Sequence, residues 1–265
     1  MKPKKVVYYD DLLNDDFAQN KIKRKPLPEN YKYVSMNPIL WFITFLLYWV
    51  VALPILWLVG KIGYGVKVLG KKNLRKVRHQ GVFYYGNHTQ IADAWLAQCY
   101  MSGFRRTFIV ASQDATSIKG IRWLIKGLGC IPVPENPKQR EGFVAAIRHH
   151  IKFHHGICIY PEAHIWPYAT RIRPFVDASF TYPAELDAPV IPFCVTYRSR
   201  KIFKNASPRM TIHIGKPIYP DMNLSLPERK KALRDACYEY MIDKATEDDN
   251  AEYISYLPRK KQMKE

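Results

Sequence analysis

A chain of 265 residues with 48% apolar residues is long enough to bury one substantial core. Its formal net charge of +18 calls for an anionic partner: nucleic acid, an acidic protein, a phosphorylated substrate or a membrane rich in anionic lipid. The five cysteines, Cys99, Cys130, Cys158, Cys194 and Cys237, are widely spread with no Cys-x-x-Cys pair, which argues against a zinc or redox site and for reduced thiols facing the cytoplasm.

Residues 1–36 are polar and lysine-rich, with the cluster Lys21, Lys23, Arg24 and Lys25 followed by two prolines, and read as a basic surface arm that stays disordered until it meets lipid. From Ile39 to Gly60 no residue is charged. As a helix this stretch would cover about 33 Å, the thickness of a bilayer core, so residues 37–62 are assigned as a membrane segment. It follows a long polar stretch of mixed charge and therefore does not read as a cleaved secretory signal. Trp41, Tyr48, Trp49 and Trp57 give it interfacial character, and Pro54 is expected to kink or divide it. A monotopic segment dipping into one leaflet thus competes with a single pass. Basic residues on both flanks pull both ends to the cytoplasmic face and favour the monotopic form. A buried helix of a soluble core would show a polar face, which this segment lacks.

After Lys61, short β-branched runs alternate with amphipathic stretches, the pattern of an α/β domain, assigned to residues 63–250. Strands are expected at 66–69, 82–85, 107–111, 130–133, 157–160, 190–195 and 210–214, and helices at 91–101, 121–128, 142–153 and 227–245. Residues 251–265 form a basic tail ending in Arg259, Lys260 and Lys261 and their neighbours. There is no internal repeat.

The segment Gly86-Asn87-His88-Thr89-Gln90-Ile91-Ala92-Asp93 follows an expected strand and opens an expected helix. Five residues apart on one helix, His88 and Asp93 would point about 140° away from each other. They meet only if His88 lies in the loop and Asp93 in the first turn, with Thr89 as the helix cap. An Asp beside the imidazole would fix its tautomer and leave the other ring nitrogen to take a proton from an alcohol, with the substrate hydroxyl as nucleophile. The segment alone also fits a plain structural role, because the helix dipole favours Asp in a first turn. A second histidine group, His149-His150 and His154-His155, contains the i, i+4 spacing of a metal pair, but no carboxylate accompanies it, and it reads as a surface helix with no metal.

His88-x4-Asp93, with the preceding Asn87, resembles the first motif of the lysophosphatidate acyltransferase (PlsC-like glycerolipid acyltransferase) family. Further matches follow in order: Val68-Leu69-Gly70-Lys71-Lys72-Asn73-Leu74, Tyr160-Pro161-Glu162, Arg173-Pro174-Phe175, Ala188-Pro189-Val190-Ile191-Pro192-Phe193 and Ile214-Gly215-Lys216-Pro217-Ile218. The resemblance covers roughly residues 66 to 245. It implies a mixed central sheet flanked by helices, the glycerolipid acyltransferase fold, behind an N-terminal membrane-embedded helical segment. It also implies transfer of a fatty acyl group to a lysophospholipid, foremost 1-acyl-sn-glycerol-3-phosphate, in phospholipid biosynthesis.

On that resemblance His88 is the general base and Asp93 its orienting partner, with loop backbone N–H groups stabilising the oxyanion. The substrate-binding set comprises Asn87, Glu162 and a cation drawn from Lys138, Arg140, Arg171 and Arg173. Two departures stand out. Glu162-Ala163-His164 replaces the usual Glu-Gly-Thr, and the stretch Gly129 to Asn136 lacks the arginine that usually ends the second motif, which is why Lys138 and Arg140 enter as substitutes.

No metal or prosthetic group is required; acyl-CoA, acyl carrier protein or acyl phosphate would serve as co-substrate. The expected partners are a membrane with anionic lipid, the lysophospholipid and the acyl donor, at the cytoplasmic face of the cell membrane. A non-catalytic lysolipid-binding protein, suggested by the altered third motif, and an acyltransferase for another lysophospholipid are the alternatives. A nucleic-acid-binding module rests on charge alone and lacks a recognisable reading motif, so no nucleic acid is expected.

Overall fold

The computed structural model describes residues 4–18, 25–35, 37–103, 105–117, 120, 122–203, 206–247 and 250–259. In chain order the elements are β1 (Lys5–Tyr9), α1 (Pro38–Leu46), a π-helical turn (Leu47–Ala52), α2 (Leu53–Ile62), β2 (Lys67–Leu69), β3 (Val82–Gly86), α3 (Asp93–Tyr100), β4 (Thr107–Ala111), α4 (Arg122–Gly127), β5 (Cys130–Pro132), α5 (Pro137–Lys152), β6 (Gly156–Ile159), α6 (Thr181–Leu186), β7 (Val190–Arg198), β8 (Arg209–Ile214), α7 (Leu226–Ala245) and β9 (Ile254–Pro258). Short 3₁₀ turns fill several of the connections.

Seven strands form one sheet in the order β2-β8-β7-β3-β6-β4-β5. Strands β7, β3, β6, β4 and β5 are parallel, whereas β8 runs antiparallel to β7 and β2 follows β8. Central β3, Val82-Phe83-Tyr84-Tyr85-Gly86, is buried at every position, as a parallel strand covered on both faces must be. Tyr84, Val82 and Leu96 of α3 belong to the core on one face, and Phe83, Tyr85, Phe143 of α5 and Leu233 of α7 to the core on the other. The mixed sheet flanked by helices is the expected fold class.

The expected strands all form, with ends shifted by no more than three residues. Helix α5 begins five residues before the apolar periodicity does, because Asn136 caps it by accepting from the Gln139 N–H at 2.9 Å and Pro137 supplies the first helical residue. Helix α6 was not expected, since six residues carry too little periodicity to read.

The apolar segment is one helix, Pro38–Ile62, of 25 residues. Pro54 does not divide it: the π-helical turn just before the proline widens the helix where the ring would otherwise strike the carbonyl four residues back. Its outer surface is exposed, and only 11% of its most apolar window is buried. An inner stripe at i, i+4 touches the domain. Thr44 lies against Gly127, the Tyr48 hydroxyl sits 3.3 Å from the Thr107 N–H, and Gly60 packs under Tyr100, whose hydroxyl donates to the Trp57 carbonyl at 2.7 Å.

The described part of the N-terminal arm is ordered against the domain, contrary to the expectation of a free arm. Strand β1 pairs in parallel with β9, Lys5 opposite Ile254 and Tyr9 opposite Pro258, so the arm and the tail form a two-stranded sheet of their own. Tyr31 and Tyr33 stack edge-on, and Tyr33 packs on Phe143. The basic residues Lys21, Lys23 and Arg24, and Lys260 and Lys261 of the tail, lie outside the described residues; Lys25 and Arg259 lie within them.

The histidine group is not an exposed surface feature throughout. His150 is buried with its ring on Phe108, centroids 3.7 Å apart, and its Nδ1 lies 3.2 Å from Nδ1 of His155. Burial pushes His150 down to about 3, helped by His155, His149 and the Arg106 guanidinium, and His155 down to about 4, helped by Arg106 and His149. Both folded values lie below the unfolded value of 6.5, so stability held by the neutral pair is complete above that pH and is lost as the pH falls through it toward the folded values. Denaturant titrations between pH 7 and 4.5 should show a loss of at most about 1.4 kcal/mol per pH unit from His150 and less from the more solvated His155. Replacing both by Leu should flatten that slope; an unchanged slope would assign the acid sensitivity elsewhere.

Candidate active site

The sheet presents its reacting end where β3 and β6 finish side by side and their following connections diverge, one to α3 on one face and the other to α6 on the opposite face. Crevices of α/β sheets open at such points. The β3 loop carries His88 and the β6 loop carries Glu162.

Gly86 ends β3 against the Phe193 ring, where an added Cβ would meet the ring at 2.2 Å. Asn87 then extends the strand pairing by side chain: its Nδ2 donates to the Val195 carbonyl at 3.0 Å and its Oδ1 accepts from the Val195 N–H at 2.7 Å. His88 follows, its backbone N–H donating to Glu162 Oε2 at 2.9 Å and its carbonyl accepting from the Trp166 N–H at 3.1 Å. The imidazole stacks on Tyr160 with centroids 4.4 Å apart and planes 14° apart.

His88 Nδ1 lies 2.9 Å from Asp93 Oδ2, and the same oxygen accepts the N–H groups of Thr89 at 2.7 Å and Gln90 at 2.8 Å. A carboxylate acceptor draws the proton to Nδ1 and leaves Nε2 as the basic nitrogen. The imidazole is 17% exposed and the carboxylate 0%, so an incoming molecule can reach the base but not its orienting partner. His88 lies in the loop and Asp93 in the first turn, the arrangement the spacing demands. The cap differs from expectation: α3 opens at Asp93, whose own carboxylate closes the turn before it, while the Thr89 hydroxyl accepts from the Tyr197 hydroxyl at 2.8 Å.

Glu162, expected to touch substrate, is 2% exposed. Its Oε1 accepts the Arg173 N–H at 2.9 Å and its Oε2 lies 3.2 Å from Arg173 Nη2, in addition to holding His88. Burial pushes the Glu162 carboxyl up and the Arg173 guanidinium down; their mutual attraction and the two backbone N–H groups oppose the shift of the carboxyl. The pair supports the His88 loop from behind, with both carboxylate oxygens hydrogen-bonded within the protein.

Arg173 is likewise engaged within the protein, over the Trp166 ring at 4.8 Å and donating to the His164 carbonyl. Asn87 has both amide atoms on Val195, whereas Arg173 keeps a buried Nε with no partner among the described residues. The N–H groups of His88, Thr89 and Gln90 are committed to carboxylates and are not available to an oxyanion.

The remaining cations are not gathered at His88. Lys138 pairs with Glu29 of the arm at 2.6 Å, and Arg140 is exposed on the first turn of α5, a helix that packs in the core on the opposite face of the sheet from α3. Arg171 is exposed and borders, with Arg173, Tyr9 and Tyr256, a cavity of about 290 Å³ behind Trp166. Among the described residues no group of three or more His, Cys, Asp or Glu side chains could hold a metal ion.

The part of the site that sequence reasoning missed is the support given by the two chain ends. Trp166 donates from Nε1 to the Asp15 carbonyl at 2.7 Å, and its ring meets Tyr9 at 5.0 Å, Phe17 at 5.1 Å and Tyr256 at 4.8 Å. The aromatic residues of the two terminal segments were the available signal.

Residues 65–196 match the family described as Acyltransferase. No curated protein matches the chain by sequence. Among solved structures it is similar to the crystal structure of the 1-acyl-sn-glycerophosphate (LPA) acyltransferase PlsC from Thermotoga maritima, with a TM-score of 0.57 and 17% identity over 79% of this chain and 88% of that one. At that identity the likeness is one of fold.

Glu162→Gln keeps the side-chain shape but leaves Arg173 buried beside a neutral amide, and should destabilise the protein by about 3 to 5 kcal/mol in denaturant titration. An unchanged unfolding midpoint would remove Glu162 as the support of the loop.

Proposed function

With residues 65–196 an acyltransferase-family domain, we propose that this chain is a membrane-attached glycerolipid acyltransferase. It moves a fatty acyl group from an activated carrier to the free hydroxyl of a lysophospholipid. The observation that carries this reading is the oriented imidazole: His88 held by buried Asp93 through Nδ1, partly open to solvent, with no serine or cysteine nucleophile beside it in the motif. The similar Thermotoga maritima protein acts on 1-acyl-sn-glycerophosphate, which makes that lysolipid the leading acceptor and phosphatidic acid the product.

In the proposed reaction the acceptor hydroxyl oxygen attacks the carbonyl carbon of the acyl carrier while Nε2 of His88 takes the hydroxyl proton. The buried Asp93 carboxylate stabilises the resulting imidazolium. As the new ester forms, the bond to the carrier breaks, and the leaving thiolate or phosphate takes up the proton from His88. Because the turn's own N–H groups are engaged, donors to the transient oxyanion belong to groups outside residues 88–90. Acyl-CoA, acyl carrier protein and acyl phosphate all bring negative charge to a strongly basic chain.

The helix Pro38–Ile62 supports membrane attachment in the monotopic form. Its contacts with the domain run from Thr44 to Gly60, about 24 Å of axis, so it has no length free of the domain to cross a hydrocarbon core of about 30 Å. The anionic leaflet at the cytoplasmic face suits the basic charge.

Acyl transfer from acyl-CoA and from acylated carrier protein to several lysophospholipids tests the reading. His88→Ala should lower turnover at least about 10³-fold, and Asp93→Asn by about 10² to 10⁴, both with folding retained. Lysolipid binding without turnover for every donor would favour the non-catalytic lipid-binding reading instead. In reconstituted vesicles, cysteines introduced at Ser35 and Lys67 should both react with an impermeant maleimide from the same side; reaction from opposite sides would show a spanning helix.

A further inference from the structure

The hairpin between β7 and β8 ends in an exposed apolar pair that the chemistry does not use. Ile202 is 73% and Phe203 79% exposed, among the most exposed large apolar residues described, and Phe203 has a φ of 58°, in the left-handed region. Bulky side chains displayed outward at a strained turn are a cost to a domain whose apolar residues could face inward.

The position of this tip in the fold gives it a direction. Strand β7 passes the catalytic loop at Val195, which Asn87 clamps, and continues to Arg198, about 10 Å further. The tip therefore projects from the same end of the sheet as His88. It is also joined to the apolar helix: Arg200 donates from Nη2 to the Gly63 carbonyl at 3.0 Å, immediately after the helix ends at Ile62, itself 72% exposed. Arg198 donates to the Gly65 carbonyl at 3.0 Å. Exposed Ile62 at the helix end and exposed Ile202 and Phe203 at the tip are thus tied together through Arg200 and Arg198, with Lys61, Arg200 and Lys201 their neighbours in sequence.

We propose that the β7–β8 hairpin tip is a second membrane contact, with Ile202 and Phe203 inserted into the interfacial region of an anionic bilayer beside the end of the helix and the basic residues on its phosphates. This rests on the reading of the chain as a membrane-attached enzyme and adds to it an orientation: the end of the sheet bearing His88 faces the lipid. The apolar tip supplies the insertion, the bordering cations supply the match to anionic headgroups, and the continuity with the apolar helix makes the two one footprint.

The full chain is reconstituted in vesicles of phosphatidylcholine and phosphatidylglycerol with an environment-sensitive fluorophore on Phe203→Cys. A control carries it on Lys231→Cys, an exposed position of α7 on the opposite face of the sheet from α3. The label at 203 should be quenched by nitroxide lipid and shielded from aqueous iodide, and the label at 231 should behave the opposite way. Equal iodide access at both positions overturns the proposal, as does shielding at 203 that requires an acidic acyl carrier protein and not the vesicle.

Ile202→Asp with Phe203→Asp should raise the apparent KM for vesicle-presented acceptor about tenfold and leave kcat in detergent micelles unchanged, since two apolar side chains leave the interface. An unchanged KM overturns it. The quenching readout needs no turnover, so a lipid-quenched label on an inactive chain sinks the enzymatic reading alone, and turnover with a water-exposed label sinks the membrane contact alone.

Discussion

A carboxylate taken out of water costs stability unless it is hydrogen-bonded, and Glu162 meets that constraint by holding two chain segments at once. One oxygen takes the backbone N–H of Arg173, and the other takes the backbone N–H of His88 and the Arg173 guanidinium. The second interaction fixes the height of the catalytic loop against the β6 loop, and the first fixes the loop that carries Trp166. Asp93 repeats the device one turn later with Thr89, Gln90 and the imidazole. The His88 imidazole is thus held because the backbone on both sides of it is bonded to buried charge, and in the proposed reaction a group preorganised in this way needs no rearrangement.

The departure of the third motif from the family pattern has its explanation in the N-terminal arm. Ala163 has a φ of 63°, the left-handed conformation that the usual glycine adopts without strain, so the turn is kept at a cost of about 1 to 2 kcal/mol. His164, in place of the usual hydroxyl residue, sits 3.8 Å from Asp16, and the Phe17 N–H donates to the Ile165 carbonyl at 3.3 Å. The altered residues therefore face a segment of this chain that docks on them.

Much of the sheet was legible because buried parallel strands are short, continuous apolar runs bounded by turns, and β4 lies at the residues those runs mark. The meeting of His88 and Asp93 was legible because five-residue spacing permits only one loop-to-helix arrangement. Other features were hidden by the nature of the signals. Motif letters do not say which way a side chain points, so the bonds of Glu162 to His88 and Arg173, and of Asn87 to Val195, could not be read from them. The cations Lys138 and Arg140 were chosen by sequence position, and the helix that carries them packs on the opposite face of the sheet from α3. The pairing of β1 with β9 joins residues about 250 positions apart, and no local pattern announces such a partner.

That last pairing sets an order of events during synthesis. Lys5 waits for Ile254 and Tyr9 for Pro258, so β1 leaves the ribosome about 250 residues ahead of the strand it must join. Tyr256, which closes on Trp166, arrives at the same late moment. Sheet, helix and histidine are all translated before their brace exists. A polypeptide that lacked Ile254 to Pro258 would carry every motif letter and still miss the ring that steadies the loop behind His88, so the pairing of β9 with β1 is itself the step that finishes the site.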